Sequence, residues 1–163
     1  MDIPFLLVLA AAAILFTRAH LRGTARPRTG TNWLTQAARY HAMNPVQFEH
    51  AIAALCERDG CRAVRVVGGA GDLGADVIAT TPDGRRIVIQ CKRYAPRMKV
   101  GSPDLQRFGG TCYSVHRAQV AAVVTTSTFT EPAVGYGVRQ GIRLVDSSAL
   151  TRWATRTGPP PWT

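Results

Sequence analysis

The sequence predicts a mixed α/β domain over residues 44–153, and three observations carry that prediction. Strand-like runs at 62–67, 75–80 and 85–92 are separated by turn signals, the pattern of an antiparallel meander. Two later apolar runs, 119–125 and 142–145, alternate with helical stretches, the pattern of strands linked by helices. Hydrophobic residues make up 46% of the 163 positions and charged residues 18%, which suits one domain with a real core and excludes a disordered chain.

Each element has a local reason. Residues 3–16 are continuously apolar, Thr17 extends the run and Arg18 ends it. That is shorter than the roughly 20 residues of an ordinary spanning helix. Asp2 and the lack of a basic leader argue against a cleaved signal peptide, and the all-round apolar surface argues against a buried domain helix. Residues 1–21 are therefore expected to form a membrane anchor through 3–17, with Arg18 and Arg22 reaching the headgroups. The following domain would then be cytoplasmic on a single-pass membrane protein. Residues 22–43 read as a basic linker broken by Gly23, Pro27 and Gly30, with a short helix over Trp33–Tyr40. Asn44, Pro45 and Gln47 make a capping-box start for a helix over 45–58, and Gly60 stops it. Pro82-Asp83-Gly84 turns the second strand into the third. Ser102-Pro103-Asp104 opens a helix to about His116. A further helix falls within 131–140, and Asp146 or Ser147 caps a last one through Trp153. Residues 154–163, with three consecutive prolines, read as a loose tail.

The formal charge is +10. Such an excess points to a polyanionic partner, either nucleic acid or an anionic membrane, with a basic surface that only aids solubility as the plain alternative. Arg18, Arg22, Arg26, Arg28 and Arg39 sit in a stretch without an acid, and this stretch suits anionic lipid as well as DNA. Cys56, Cys61, Cys91 and Cys112 show no zinc spacing and read as reduced, mostly buried thiols.

The chemistry concentrates at two places. On the strand 85–92, Val88, Gln90 and Lys92 share one face and Ile87, Ile89 and Cys91 the other. Asp76 lies on the preceding strand across a tight turn, in a position where aspartate is disfavoured. A carboxylate, an amide oxygen and an ammonium are then expected to converge, which suits a hard cation and a phosphodiester. The alternative is a strand end that merely emerges into solvent. Only two of the 20 basic residues are lysines, Lys92 and Lys99, so a lysine at 92 stands out against a background of arginine. Asp72 reads as a turn carboxylate. Glu49 is either a favourable charge near a helix start or a carboxylate that reaches the cation from the helix side.

Phe48-Glu49, Gly71-Asp72-Leu73-Gly74-Ala75-Asp76 and Gln90-Cys91-Lys92-Arg93-Tyr94 together resemble the catalytic domain of the Mrr-type restriction endonucleases. Thr125-Thr126-Ser127-Thr128-Phe129-Thr130 and Gly141-Ile142-Arg143-Leu144-Val145-Asp146 resemble that family's later motifs. The resemblance covers about residues 44–150. It places the chain in the PD-(D/E)xK nuclease superfamily, in a QxK variant where glutamine replaces the usual second acid. It implies a restriction-endonuclease-like mixed central sheet flanked by helices, and a Mg²⁺-dependent endonuclease that acts on DNA in the restriction of foreign DNA. Asp76, Gln90, the Cys91 carbonyl and Glu49 would hold Mg²⁺, or Mn²⁺ in its place. Lys92 would position or activate the attacking water or stabilise the phosphate in the transition state. Arg93, Arg97, Lys99 and Arg107 would meet the DNA backbone, with a solvated basic face as the alternative. A homodimer is a further expectation. The competing expectation is a catalytically inactive nuclease fold that binds DNA at the membrane.

Overall fold

The computed structural model describes residues 29–69 and 71–163, with side chains from residue 36 onward. Its element order is α1 (Thr29–Ala42), α2 (Pro45–Arg58), β1 (Arg62–Val66), β2 (Val77–Thr80), β3 (Arg86–Lys92), β4 (Lys99–Val100), α3 (Ser102–Cys112), β5 (Val120–Thr125), β6 (Thr128–Phe129), α4 (Glu131–Gln140), β7 (Ile142–Val145) and α5 (Ser147–Ala154). The central sheet runs β1-β2-β3-β5-β7. Its first three strands pair antiparallel, and β3, β5 and β7 pair parallel. This is the mixed sheet flanked by helices that the sequence predicted.

Strand periodicity divides the core in two. Ile87 and Ile89 of β3 pack with Val77, Phe48, Ile52 and Cys56 beneath α2 and with Leu150 and Trp153 of α5. Val88, one residue out of phase, packs with Ile78, Val123, Leu105 and Phe108 beneath α3. All six residues of β5 are buried, as a central parallel strand covered on both faces must be. The helix starts follow their sequence signals. Asn44 and Gln47 form the reciprocal capping box of α2, and the Asp146 carboxylate accepts from Ala149 N. All four cysteines are free thiols.

Two expectations need correction, and one strand pairing is an addition to them. The linker assigned to 22–43 is helical from Thr29 onward, and Tyr40 is buried edge-on against Phe48, with ring centroids 5.9 Å apart. The helix expected over Trp33–Tyr40 is therefore the middle of a longer one, held by contacts far along the chain that local breakers do not outweigh. Lys99–Val100 and Thr128–Phe129 form a two-stranded parallel ladder that no local pattern announced. The C-terminal tail is not loose. Trp162 is 5% exposed and meets Trp153 edge-on at 5.7 Å, while the Arg85 guanidinium donates to the Trp162 carbonyl. The tail ends in a turn in which the Thr163 N–H donates to the Pro160 carbonyl at 3.4 Å, and Trp162 packs into the core beside Trp153 of α5. Trp162→Ala should lower the unfolding free energy by about 3 kcal/mol, read from chemical denaturation.

The proposed anchor over 1–21 lies outside the described residues. Among the described residues no helix is long and apolar enough to cross a membrane.

Candidate active site

The site lies at the carboxyl end of β3, where parallel β5 also ends and the chain has already turned back from β2. Open α/β sheets commonly place their ligands at such an end. Register decides who meets whom. Val77 pairs with Ile89, and Asp76 stands one residue earlier, just ahead of β2. The Asp76 backbone N–H donates to the Ile89 carbonyl at 2.9 Å, and its Oδ2 accepts from the Cys91 N–H at 2.6 Å. These bonds leave Asp76 Oδ1 pointing away from the strand. A strand residue turns its N–H and C=O to the same side, so the Cys91 carbonyl also faces Asp76.

Glu49 reaches this point from α2. A Cβ placed on Gly68 would lie 2.5 Å from Glu49 Oε2 and 3.3 Å from Asp76 Oδ1. The two carboxylates thus converge on one small space that only the absence of a side chain at Gly68 keeps open. The structure thus brings Glu49 and Asp76, two of the residues singled out in the sequence, to the same place. Gln90 is 6% exposed, and its Oε1 is buried with no hydrogen-bond partner. Its Nε2 lies 3.0 Å from where a Cβ on Gly74 would stand, so the glycine loop packs directly on this amide.

Burial pushes the Asp76 carboxyl up to about 6. The Cys91 N–H opposes that rise, and the charges of Glu49 and Asp72 add to it. Burial likewise raises Glu49, with Asp72 adding and His50 opposing. Asp72 is the turn carboxylate expected of it, accepting from Gly69 N at 2.9 Å and Gly74 N at 2.7 Å. The buried Asp76 and the partly buried Glu49 bring hard oxygen donors together without a positive charge between them, and the Gln90 amide oxygen on β3 is buried without a partner. A divalent cation suits that set. Among the described residues no three His, Cys, Asp or Glu side chains cluster as a metal site.

Lys92 departs from the simple picture of convergence. It leaves β3 on the same face as Gln90, but its Nζ is 3.7 Å from Asp104 Oδ1 in the first turn of α3. Asp104 also takes the Arg107 guanidinium and the Tyr94 hydroxyl. The sequence marked Asp104 only as a helix opener. Its acid in a first turn after Ser-Pro was the available signal, but nothing local tied it to Lys92. A second unforeseen set is Thr125, Thr126 and Ser127. Thr125 Oγ1 donates to the Lys92 carbonyl and Thr126 Oγ1 to the Tyr94 carbonyl, both at 2.7 Å, and Ser127 Oγ donates to the Met98 carbonyl. Three successive hydroxyls at the end of an apolar strand therefore fasten the backbone that follows Lys92.

That fastened segment carries most of the predicted backbone contacts. Arg97 and Lys99 are exposed, and Arg93 is half-buried with an Nε lacking a partner. Arg107 is exposed but paired with Asp104. These residues make a basic rim around the Asp104 side of the site.

Residues 40–154 match the Mrr_cat family, described as restriction endonuclease. Among solved structures the chain is similar to the DNA modification-dependent restriction endonuclease AspBHI, with a TM-score of 0.59, 19% identity, and coverage of 83% of this chain and 37% of that one. It is similar to the MspJI restriction endonuclease in complex with a 27-mer oligonucleotide, with a TM-score of 0.52, 18% identity, and coverage of 83% and 32%. It is also similar to AF1548, a protein of unknown function, with a TM-score of 0.52, 24% identity, and coverage of 64% and 59%. The chain thus spans roughly a third to three-fifths of the lengths of these proteins, and the likeness shows a shared fold. No curated protein matches the sequence.

Proposed function

Since the chain belongs to the Mrr_cat restriction endonuclease family, we propose that it is a divalent-metal-dependent endonuclease that hydrolyses DNA phosphodiester bonds in the restriction of foreign DNA. The observation that carries the metal dependence is the space shared by Glu49 Oε2 and Asp76 Oδ1, beside a buried Gln90 Oε1 with no partner. Asp76, Glu49, Gln90 and the Cys91 carbonyl would hold Mg²⁺ or Mn²⁺, which when bound supplies Lewis-acid polarisation of the phosphodiester. Glutamine at 90 leaves the set one negative charge short of two strand carboxylates, and Glu49 restores it from α2.

Lys92 contributes a compact ammonium that Asp104 holds beside the site, where charge develops on the phosphate oxygens. Arg93, Arg97 and Lys99 neutralise neighbouring phosphates, and Arg107 does so by exchanging its carboxylate partner for one. DNA as substrate draws support from the neighbour described in complex with an oligonucleotide. A homodimer would set one such site against each strand of a duplex. The apolar run 3–17 and the arginines after it support a tether to the cytoplasmic face of the cell membrane.

The test is the full-length chain with supercoiled plasmid. Nicked or linear product should form with Mg²⁺ and not with EDTA. DNA binding without any metal-dependent product would instead establish an inactive DNA-binding fold. Glu49→Gln, which keeps the shape and removes the charge, should weaken Mn²⁺ binding roughly ten- to a hundredfold in DNA-free calorimetry. Parental affinity in that variant would remove Glu49 from the donor set.

A further inference from the structure

The loop between β1 and β2 is built to hold one apolar side chain out in solvent. Leu73 is 54% exposed, and its φ is +51°, in the left-handed region that leucine rarely adopts. Among the described residues three other non-glycine positions have positive φ, namely Ala63, Arg117 and Arg156, and none carries a large apolar side chain. The conformation of Leu73 is enforced from several sides. Thr111 of α3 donates its hydroxyl to the Leu73 carbonyl at 2.7 Å. The Asp72 carboxylate grips the N–H groups of Gly69 and Gly74 on either side, and Ala75 N bonds the Asp72 carbonyl at 3.1 Å. Glycine or asparagine would relieve the backbone at this position. A strained backbone that is fastened this firmly and still exposes its apolar side chain points to a use for that side chain outside the fold.

Its location indicates the use. Gly74, the next residue, packs on the Gln90 amide, and Asp76 follows two residues later. Leu73 therefore stands at the lip of the candidate active site, on the glycine loop, with its carbonyl fastened to α3. An apolar side chain gains nothing from a phosphate. Next to a scissile phosphodiester it can bury itself only against the uncharged parts of the same strand, a deoxyribose or the edge of a base.

We propose that Leu73 is a DNA-contacting residue that packs on the sugar or base beside the cleaved phosphate and sets the strand in register with Asp76 and Gln90. This rests on the nuclease assignment and adds a non-electrostatic subsite to it. Because the contact is apolar, its loss should weaken binding without altering the number of phosphates neutralised. That separates it from a general disturbance of the basic rim.

The experiment compares full-length parent, Leu73→Gly, Leu73→Asn, Leu73→Met and, as a control on the far surface of α4, Val138→Ser. Binding to a labelled duplex is followed by anisotropy in EDTA across a salt series, and plasmid cleavage is followed in Mg²⁺. Leu73→Gly and Leu73→Asn should each raise Kd roughly tenfold at every salt concentration, with an unchanged slope of log Kd against log salt and an unchanged or higher melting temperature. Leu73→Met and Val138→Ser should bind like the parent. Asparagine guards against the trivial effect of a more flexible glycine, since it accepts the same backbone conformation. If the parent binds and cuts DNA and the Gly and Asn variants match it, the Leu73 contact is refuted and the nuclease assignment stands. A changed salt slope in those variants also refutes it. A parent that neither binds nor cuts DNA overturns both.

Discussion

Asp76→Asn should abolish plasmid cleavage, by at least about a thousandfold, and at the same time stabilise the metal-free protein above pH 6. The two effects share one cause. Asp76 is buried between β2 and β3, and its carboxyl is pushed up to about 6 by that burial and by the charges of Glu49 and Asp72. A folded-state value above the ordinary carboxylate range means that the fold prefers the protonated form. The contribution of Asp76 to stability is therefore fully present below pH about 4 and is lost as pH rises through about 6. Asparagine never ionises and can still accept from the Cys91 N–H. The variant should melt with the parent near pH 4 and above it at pH 8, by on the order of 1–2 kcal/mol after allowance for solvent screening. Saturating Mn²⁺ should close that gap by raising the parent alone, because the cation compensates the charge that the variant lacks. Activity of the parent should fall as pH drops below 6, with a midpoint that moves lower as metal concentration rises, since proton and cation compete for one carboxylate. A variant that melts below the parent at pH 8, with cleavage intact, would show that Asp76 is a structural hydrogen-bond acceptor and nothing more.

Lys92→Ala should cost about a hundred- to a thousandfold in cleavage rate while metal affinity and duplex binding change little. The surroundings make that loss interpretable. Asp104, relieved of Lys92, keeps the Arg107 guanidinium and the Tyr94 hydroxyl, so no uncompensated charge is left inside the fold. The Lys92 backbone is held independently of its side chain, through its carbonyl and the Thr125 hydroxyl. Lys92→Arg should not restore activity. The ammonium lies in a recess where its side chain is only 20% exposed, and a planar guanidinium there would take up Asp104 in a fork and carry its charge to a different place. Full activity in the Arg variant would reduce Lys92 to a generic positive charge. Single-turnover cleavage at saturating DNA distinguishes the two, because it reads the chemical step apart from binding.

Much of the site was legible because its parts are local. Gln90 and Lys92 share a strand face by a period of two, and Asp76 comes beside the end of β3 once the turn at 82–84 is recognised. The capping signals at Asn44 and Asp146 work over three residues and appear where the sequence put them. What escaped notice were contacts between distant segments. Asp104 lies twelve positions from Lys92 on a different element, and Thr125 to Ser127 lie about thirty from the carbonyls that they hold. The C-terminal prolines looked like loose chain because their partner, Trp153, is recruited by packing and not by pattern.

The sequence alone determined the elements of the domain and the identity of the polar residues on one face of β3, because backbone periodicity and capping act over a few residues. The tertiary structure decided how close Glu49 comes to Asp76. Its helix packs over β2 and β3, and Gly68 leaves the space in which its carboxylate meets that of Asp76. It also decided where the Lys92 charge resides, since that depends on the carboxylate of Asp104, which only packing of α3 against the sheet brings within reach.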